Sequence, residues 1–157
     1  MYQFIENSDR SISLHDCRAT AVGLNGNVLS FTFADGICIG KRHPRNTYGK
    51  TMMTGQAQVD FILPQDDHPE SNFTCYVFFK KKNKTVRKVF SIEKLARKMR
   101  EKGHTLEFLY AYKGHDSIIY ECVMWRKKKP YSRECQLVIT PAGTSYSWNE
   151  LRPDKTV

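Results

Sequence analysis

Most of this chain alternates apolar and polar residues with a period of two, and this alternation constrains its fold more than any other feature. Leu29, Phe31 and Phe33 alternate with Ser30 and Thr32. Successive side chains of a β-strand point to opposite faces, so this pattern predicts half-buried antiparallel strands. The same alternation recurs in four further groups: Val59, Phe61 and Leu63; Leu106, Phe108, Tyr110 and Tyr112; Ile118, Tyr120, Cys122 and Met124; and Cys135, Leu137 and Ile139.

The segments between these runs have the composition of turns. Asn25-Gly26-Asn27 suits a tight hairpin, because Asn and Gly tolerate a positive φ. Lys113-Gly114-His115-Asp116 is predicted to join strands near 104–112 and 117–126, and Lys127-Lys128-Lys129-Pro130 leads to a strand near 132–140. Phe73 to Phe79 is apolar at both parities, which predicts a central strand covered on both faces.

One segment has helical periodicity instead. Ile92, Leu95, Ala96 and Met99 follow i, i+3, i+4, i+7, and Ser91 and Gly103 suit the two caps. We therefore predict a mostly β protein, an antiparallel β-sandwich or strongly curved sheet of about nine or ten strands. One amphipathic helix, at about 91–102, is expected to cover the sheet. The chain is expected to form a single domain over 1–157, with a polar C-terminal tail after about 150.

Composition excludes several classes of protein. The first residues lack the pattern of a signal peptide, and no run reaches the ~20 apolar residues that span a bilayer. The five cysteines are widely spaced, which favours free thiols in a cytoplasmic protein over a disulfide framework. The five histidines are scattered, and we find no catalytic, cofactor-binding or metal-binding motif. We therefore expect no enzyme, no cofactor, no metal and no membrane partner.

The positive charge is concentrated in one segment. Residues 80–102 contain eleven Lys and Arg against Glu93 and Glu101, and the rest of the chain has equal numbers of basic and acidic residues. Such a concentration favours a non-enzymatic binding module for an anionic partner, either nucleic acid or an acidic protein. Nearby Tyr76, Phe78 and Phe79 could stack on bases. The alternative is that Lys-rich turns protect edge strands and keep the protein soluble. The candidate anion-binding residues are Lys80, Lys81, Lys82, Lys84, Arg87, Lys88, Lys94, Arg97, Lys98, Arg126, Lys127, Lys128 and Lys129.

Reactive side chains are densest in Leu14-His15-Asp16-Cys17. In a strand, His15 and Cys17 would share a face, and a Cys–His pair could act as the nucleophile of a hydrolase-like enzyme. The simpler interpretation is that His15 or Asp16 bonds a turn at the start of a strand while Cys17 is buried.

This opening, with the strand Leu29 to Phe33 and Asp35-Gly36 after it, resembles small uncharacterised bacterial β-rich proteins. Some of these look like immunity proteins of toxin systems, which bind and block a partner. The resemblance covers only residues 14–36 and implies no catalytic residue. It adds an immunity-like protein inhibitor as an alternative function.

Overall fold

The computed structural model describes residues 1–156 and is mostly β, with fifteen strands and one α-helix in that range. There are more strands than the nine or ten predicted, because several are only two or three residues long and too short to show a period. The strands are β1 Phe4–Glu6, β2 Ile12–Ser13, β3 Cys17–Ala19, β4 Ala21–Asn25, β5 Val28–Phe33, β6 Cys38–Ile39, β7 Met52–Thr54, β8 Ala57–Ile62, β9 Phe73–Lys81, β10 Lys84–Phe90, β11 Thr105–Lys113, β12 Ile118–Trp125, β13 Ser132–Ile139, β14 Gly143–Trp148 and β15 Leu151–Thr156.

These strands form three antiparallel sheets. A five-stranded sheet has the order β1-β14-β8-β5-β4, a six-stranded sheet the order β10-β9-β13-β12-β11-β3, and a small sheet the order β15-β7-β6-β2. Aromatic side chains from the two larger sheets meet in the core. Phe31 of β5 contacts Phe108 of β11 edge to face, with ring centroids 5.5 Å apart. The predicted sandwich is therefore confirmed.

The predicted alternation holds along most strands but fails in β11. Leu106 and Phe108 are buried as predicted, whereas Tyr110 and Tyr112 are 55% and 53% exposed. A β-bulge between Phe108 and Tyr110 shifts the pairing with β12 by one residue. Because one extra residue reverses the alternation, the two tyrosines lie on the outer face of the six-stranded sheet.

The prediction for β9 is wrong in part. This strand is second from the edge of its sheet, between β10 and β13. Phe73, Cys75 and Val77 are buried, but Tyr76 and Phe78 are half-buried on the outer face. The outer aromatic side chains are covered in part by neighbours on the sheet surface, such as Arg87 over the Tyr76 ring, and by no second layer within residues 1–156.

The helix α1, Ile92–Lys102, is confirmed with both caps. The Ser91 hydroxyl accepts from the Lys94 N–H at 3.2 Å, and Gly103 has the left-handed conformation that ends the helix. Ile92, Leu95 and Met99 are buried where α1 packs against β4 and β9. The apolar stripe therefore holds α1 over the edge of the sandwich, and its charged face points outward.

The polar tail predicted after about 150 forms β15, which pairs with β7. Lys155 Nζ donates to Asp35 at 2.7 Å, adding an ion pair to this strand. Within residues 1–156, no helix is long and apolar enough to cross a membrane.

Candidate anion-binding surface

Strand register brings the two basic segments of the sequence to one end of the six-stranded sheet. β9 and β12 run in the same direction on either side of β13, so the β9–β10 turn and the β12–β13 loop follow at the same end. The helix α1 also ends there, because Thr105, just after Gly103, pairs with Trp125. We call this surface the basic end. It comprises nine lysines and two arginines: Lys80, Lys81, Lys82, Lys84, Lys98, Lys102, Arg126, Lys127, Lys128, Lys129 and Arg133.

Direct contacts connect these elements. The Lys127 side chain lies on Gly103, so close that a Cβ there would be 2.7 Å from Lys127 Cε. The Arg126 guanidinium donates to the Pro130 carbonyl at 2.9 Å, which fixes the β12–β13 loop. On the other side, Phe79 and Lys80 share a small cleft with Pro130. The loop thus lies between α1 and the β9–β10 hairpin.

Few acidic groups offset this charge. Glu134 accepts from Lys80 at 2.8 Å, and Glu101 lies 3.6 Å from Arg100. The side chains in both pairs are more than half exposed, so each pair is weak. Most lysines of the basic end are exposed and have no ion pair among the described residues.

A cleft of about 380 Å³ lies between the end of α1 and the β12–β13 loop. Two of its polar atoms, His104 Nδ1 and Arg126 Nε, are buried and have no hydrogen-bond partner within the described chain. Burial, followed by the charges of Arg126, Lys98, Arg133 and Lys102, lowers the pKa of His104. The cleft is lined by Lys98, Glu101, Lys102, His104, Arg126, Lys127 and Lys128.

The candidate residues predicted from the sequence omitted Lys102, His104 and Arg133, although Lys102 lies within the basic segment 80–102. His104 lies between the C-cap of α1 and the first residue of β11. Because Thr105 pairs with Trp125, His104 is opposite Arg126, the residue that follows β12. Burial and then the Arg126 charge lower the pKa of Arg133. The sequence did contain a signal for the proximity of His104 and Arg126. The predicted β11–β12 hairpin brings the residue before β11 next to the residue after β12.

Four of the predicted basic residues lie outside the basic end as defined above, although Lys88 shares an aromatic ring with Arg133. Arg87 covers the Tyr76 ring at 4.4 Å, and Lys94 Nζ lies 4.1 Å from the Phe90 ring centre. Arg97 is exposed on α1. Lys88 lies 5.0 Å from the Phe79 ring centre, and Arg133 contacts the same ring at 4.0 Å. The rings of Tyr76 and Phe79 thus contact the protein's own cations, which a stacking base would have to displace.

The cluster around His15 has a different geometry. His15 and Asp16 form an exposed turn before β3, so they do not share a strand with Cys17. Asp16 has a φ of 60°, and its N–H donates to the Phe108 carbonyl at 2.8 Å. The His15 ring contacts the Leu109 carbonyl and lies 3.4 Å from Asp16. The interpretation of a turn with a buried cysteine therefore fits the structure.

The Cys17 thiol is buried and poorly suited to nucleophilic attack. Its Sγ lies 3.7 Å from Cys38 Sγ and donates to the His15 carbonyl at 3.5 Å. The hydrogen bond with Cys38, and after it burial, raises the pKa of the Cys17 thiol. Because the thiolate is the nucleophile, a raised pKa opposes the chemistry that a hydrolase would need.

No family model, curated protein or solved structure matches this chain. Residues 1–156 also contain no group of three or more His, Cys, Asp or Glu side chains that could hold a metal ion. The geometry of the basic end therefore carries the functional argument.

Proposed function

We propose that this protein is a non-enzymatic binding module whose basic end binds the phosphate backbone of nucleic acid. The observation that carries the proposal is the convergence of separate basic segments at one end of the six-stranded sheet. A nucleic acid presents regularly spaced phosphates, and each lysine that neutralises one releases counterions and adds affinity.

The type of basic residue favours nucleic acid over an acidic protein. The basic end contains nine lysines and only two arginines. Protein–protein interfaces are depleted in lysine and enriched in arginine and aromatic residues, because a flexible, strongly hydrated ammonium group is costly to order and desolvate. Exposed lysines on turns can instead contact phosphates while remaining largely hydrated.

The test is fluorescence anisotropy with single- and double-stranded oligonucleotides at several salt concentrations. The logarithm of affinity should fall linearly with the logarithm of salt, by about 0.7–0.9 for each phosphate neutralised. Changing Lys81, Lys82 and Lys84 to Ala should weaken binding to every sequence and flatten the slope. Their side chains are exposed on the hairpin turn, so thermal stability should hardly change.

The matched control removes the same charge elsewhere. Lys41, Arg42 and Lys50 are exposed on the loop between β6 and β7. Changing these three residues to Ala should leave the salt slope almost unchanged. If no oligonucleotide binds at low salt, or if both triple variants behave alike, the proposal fails. An acidic or toxin-like protein then becomes the partner to search for.

A further inference from the structure

The cleft at the end of α1 differs from the rest of the basic end because its cations surround a concave space. Lys98 and Lys102 are four residues apart on α1, so they share one face of the helix. Arg126 approaches from the end of β12, where its bond to the Pro130 carbonyl orients the guanidinium. Lys127 lies across Gly103. Charges from three directions suit a compact anion better than an extended one.

The cleft also has unsatisfied polar groups. Buried polar atoms are nearly always hydrogen-bonded, and each exception calls for an explanation. Here two such atoms, His104 Nδ1 and Arg126 Nε, belong to adjacent side chains of one cleft. Glu101 is the one acidic side chain in the lining, and its carboxylate faces Arg100 at 3.6 Å. The side chains that line the cleft therefore carry excess positive charge, and two of their nitrogen atoms, buried below its surface, lack partners among the described residues.

We infer that this cleft binds a phosphomonoester dianion, so that nucleic acid is recognised at a phosphorylated strand end. The inference rests on the proposed function. A monoester carries a charge of about −1.5 to −2 and three terminal oxygens, which match several converging donors. A phosphodiester within a strand has one charge, two free oxygens and a sugar on each side. A volume of about 380 Å³ suits one terminal phosphate with its neighbouring nucleotide.

The experiment compares one oligonucleotide sequence with three kinds of ends: a 5′-phosphate, a 3′-phosphate, or hydroxyl groups at both ends. Affinities are measured at one low salt concentration. One of the phosphorylated strands should bind about tenfold more tightly than the hydroxyl-ended strand, the effect of one added charge-assisted hydrogen bond. The strand that binds more tightly shows whether the cleft binds a 5′-phosphate or a 3′-phosphate.

Variants locate the preference. Changing His104 to Ala, or the exposed Lys102 to Gln, should reduce the preference to about twofold or less, and Lys102→Gln should weaken the hydroxyl-ended strand no more than Lys84→Gln does. Lys84→Gln is the matched control, because Lys84 lies on the hairpin turn outside the cleft. It should weaken all three strands equally and keep their ratio. Lys102→Gln removes only an exposed side chain, so its result does not depend on refolding of the cleft.

The outcomes separate the two proposals. Equal binding of all three strands overturns the phosphate-end site and leaves the proposed function intact. A preference that survives both cleft variants also overturns it, because the recognition then lies elsewhere. Binding of none of the strands overturns the proposed function and this inference with it.

Discussion

The basic end and the turn at His15 contain similar polar side chains but differ in how their atoms are partnered. In the His15 turn, the imidazole contacts the Leu109 carbonyl and Asp16, and the Cys17 thiol contacts Cys38 and a carbonyl. At the basic end, most lysines have no ion pair among the described residues, and His104 Nδ1 and Arg126 Nε have no partner. The polar groups of the His15 turn are therefore mostly bonded within the protein, whereas most cations of the basic end are exposed and unpaired among the described residues.

Residues that are adjacent in the sequence need not form a functional site. His15, Asp16 and Cys17 are neighbours in the chain, yet their bonds serve the turn that begins β3. The residues of the basic end come from four separate segments that only the sheet register brings together. Asp side chains commonly hydrogen-bond to nearby backbone groups and so favour turns.

The largest expected effect tests whether α1 uses one set of residues to pack against the core and another to form the basic end. Leu95 is fully buried, whereas Lys98 is partly exposed and lines the cleft. Leu95→Ala should reduce the free energy of unfolding by about 2–5 kcal/mol, because it removes apolar contacts and leaves a cavity. Lys98→Ala should change it by less than about 0.5 kcal/mol. Urea unfolding of both variants measures this. Equal, small effects would mean that the apolar stripe does not face the core.

The next prediction concerns the protected thiol. Because Cys17 is buried and its pKa is raised, a thiol reagent at neutral pH should label it more than about tenfold more slowly than in the unfolded chain. His15→Ala should not change that rate, since the imidazole contacts Leu109 and Asp16. Mass spectrometry of labelled peptides resolves Cys17 from the other four cysteines. Rapid labelling that His15→Ala abolishes would restore the enzyme interpretation.

The sequence predicts much of this fold because its strands keep a regular period. The buried faces of β5, β8, β12 and β13 follow the alternation, and α1 has the predicted caps and stripe. What it could not predict is the β-bulge in β11. A bulge adds one residue without a distinctive sequence signal here, yet it reverses the faces of Tyr110 and Tyr112.

The same bulge explains why the cleft escaped prediction. Near the turn, Lys113 pairs with Ile118 and Tyr110 with Glu121. That register, if continued, would put His104 in line with Lys127. The one-residue shift puts it in line with Arg126 instead, as the pairing of Thr105 with Trp125 implies. The charged segments are visible in the sequence, but the placement of His104 opposite Arg126 depends on the strand register.

A third prediction uses the pKa of His104. Burial and the charges of Arg126, Lys98, Arg133 and Lys102 hold this pKa below the ordinary value of 6.5. The unfolded chain then binds a proton more readily than the folded one, so stability should fall as pH decreases through about 6.5. Sulfate in the cleft should raise the pKa, because an anion favours the imidazolium form. NMR titration of the His104 ring with and without sulfate measures both. A pKa of 6.5 or above in the free protein contradicts the described cleft.

The smallest expected effect concerns the ion pair between Lys80 and Glu134. The two side chains are 74% and 65% exposed, so Glu134→Gln should reduce the free energy of unfolding by at most about 1 kcal/mol.

The same change removes a negative charge from the basic end and releases Lys80 for a phosphate. Oligonucleotide affinity should therefore rise, by about twofold to fivefold at low salt, and the gain should fade as salt screens it. An acid elsewhere offers the control: Asp67 has no ion pair among the described residues, so Asp67→Gln removes one charge from the acidic loop before β9 and should leave affinity nearly unchanged. If Glu134→Gln weakens binding instead, the lysines of the β9–β10 hairpin do not contact the oligonucleotide. The basic end would then resemble the His15 turn, which offers no free group to a ligand.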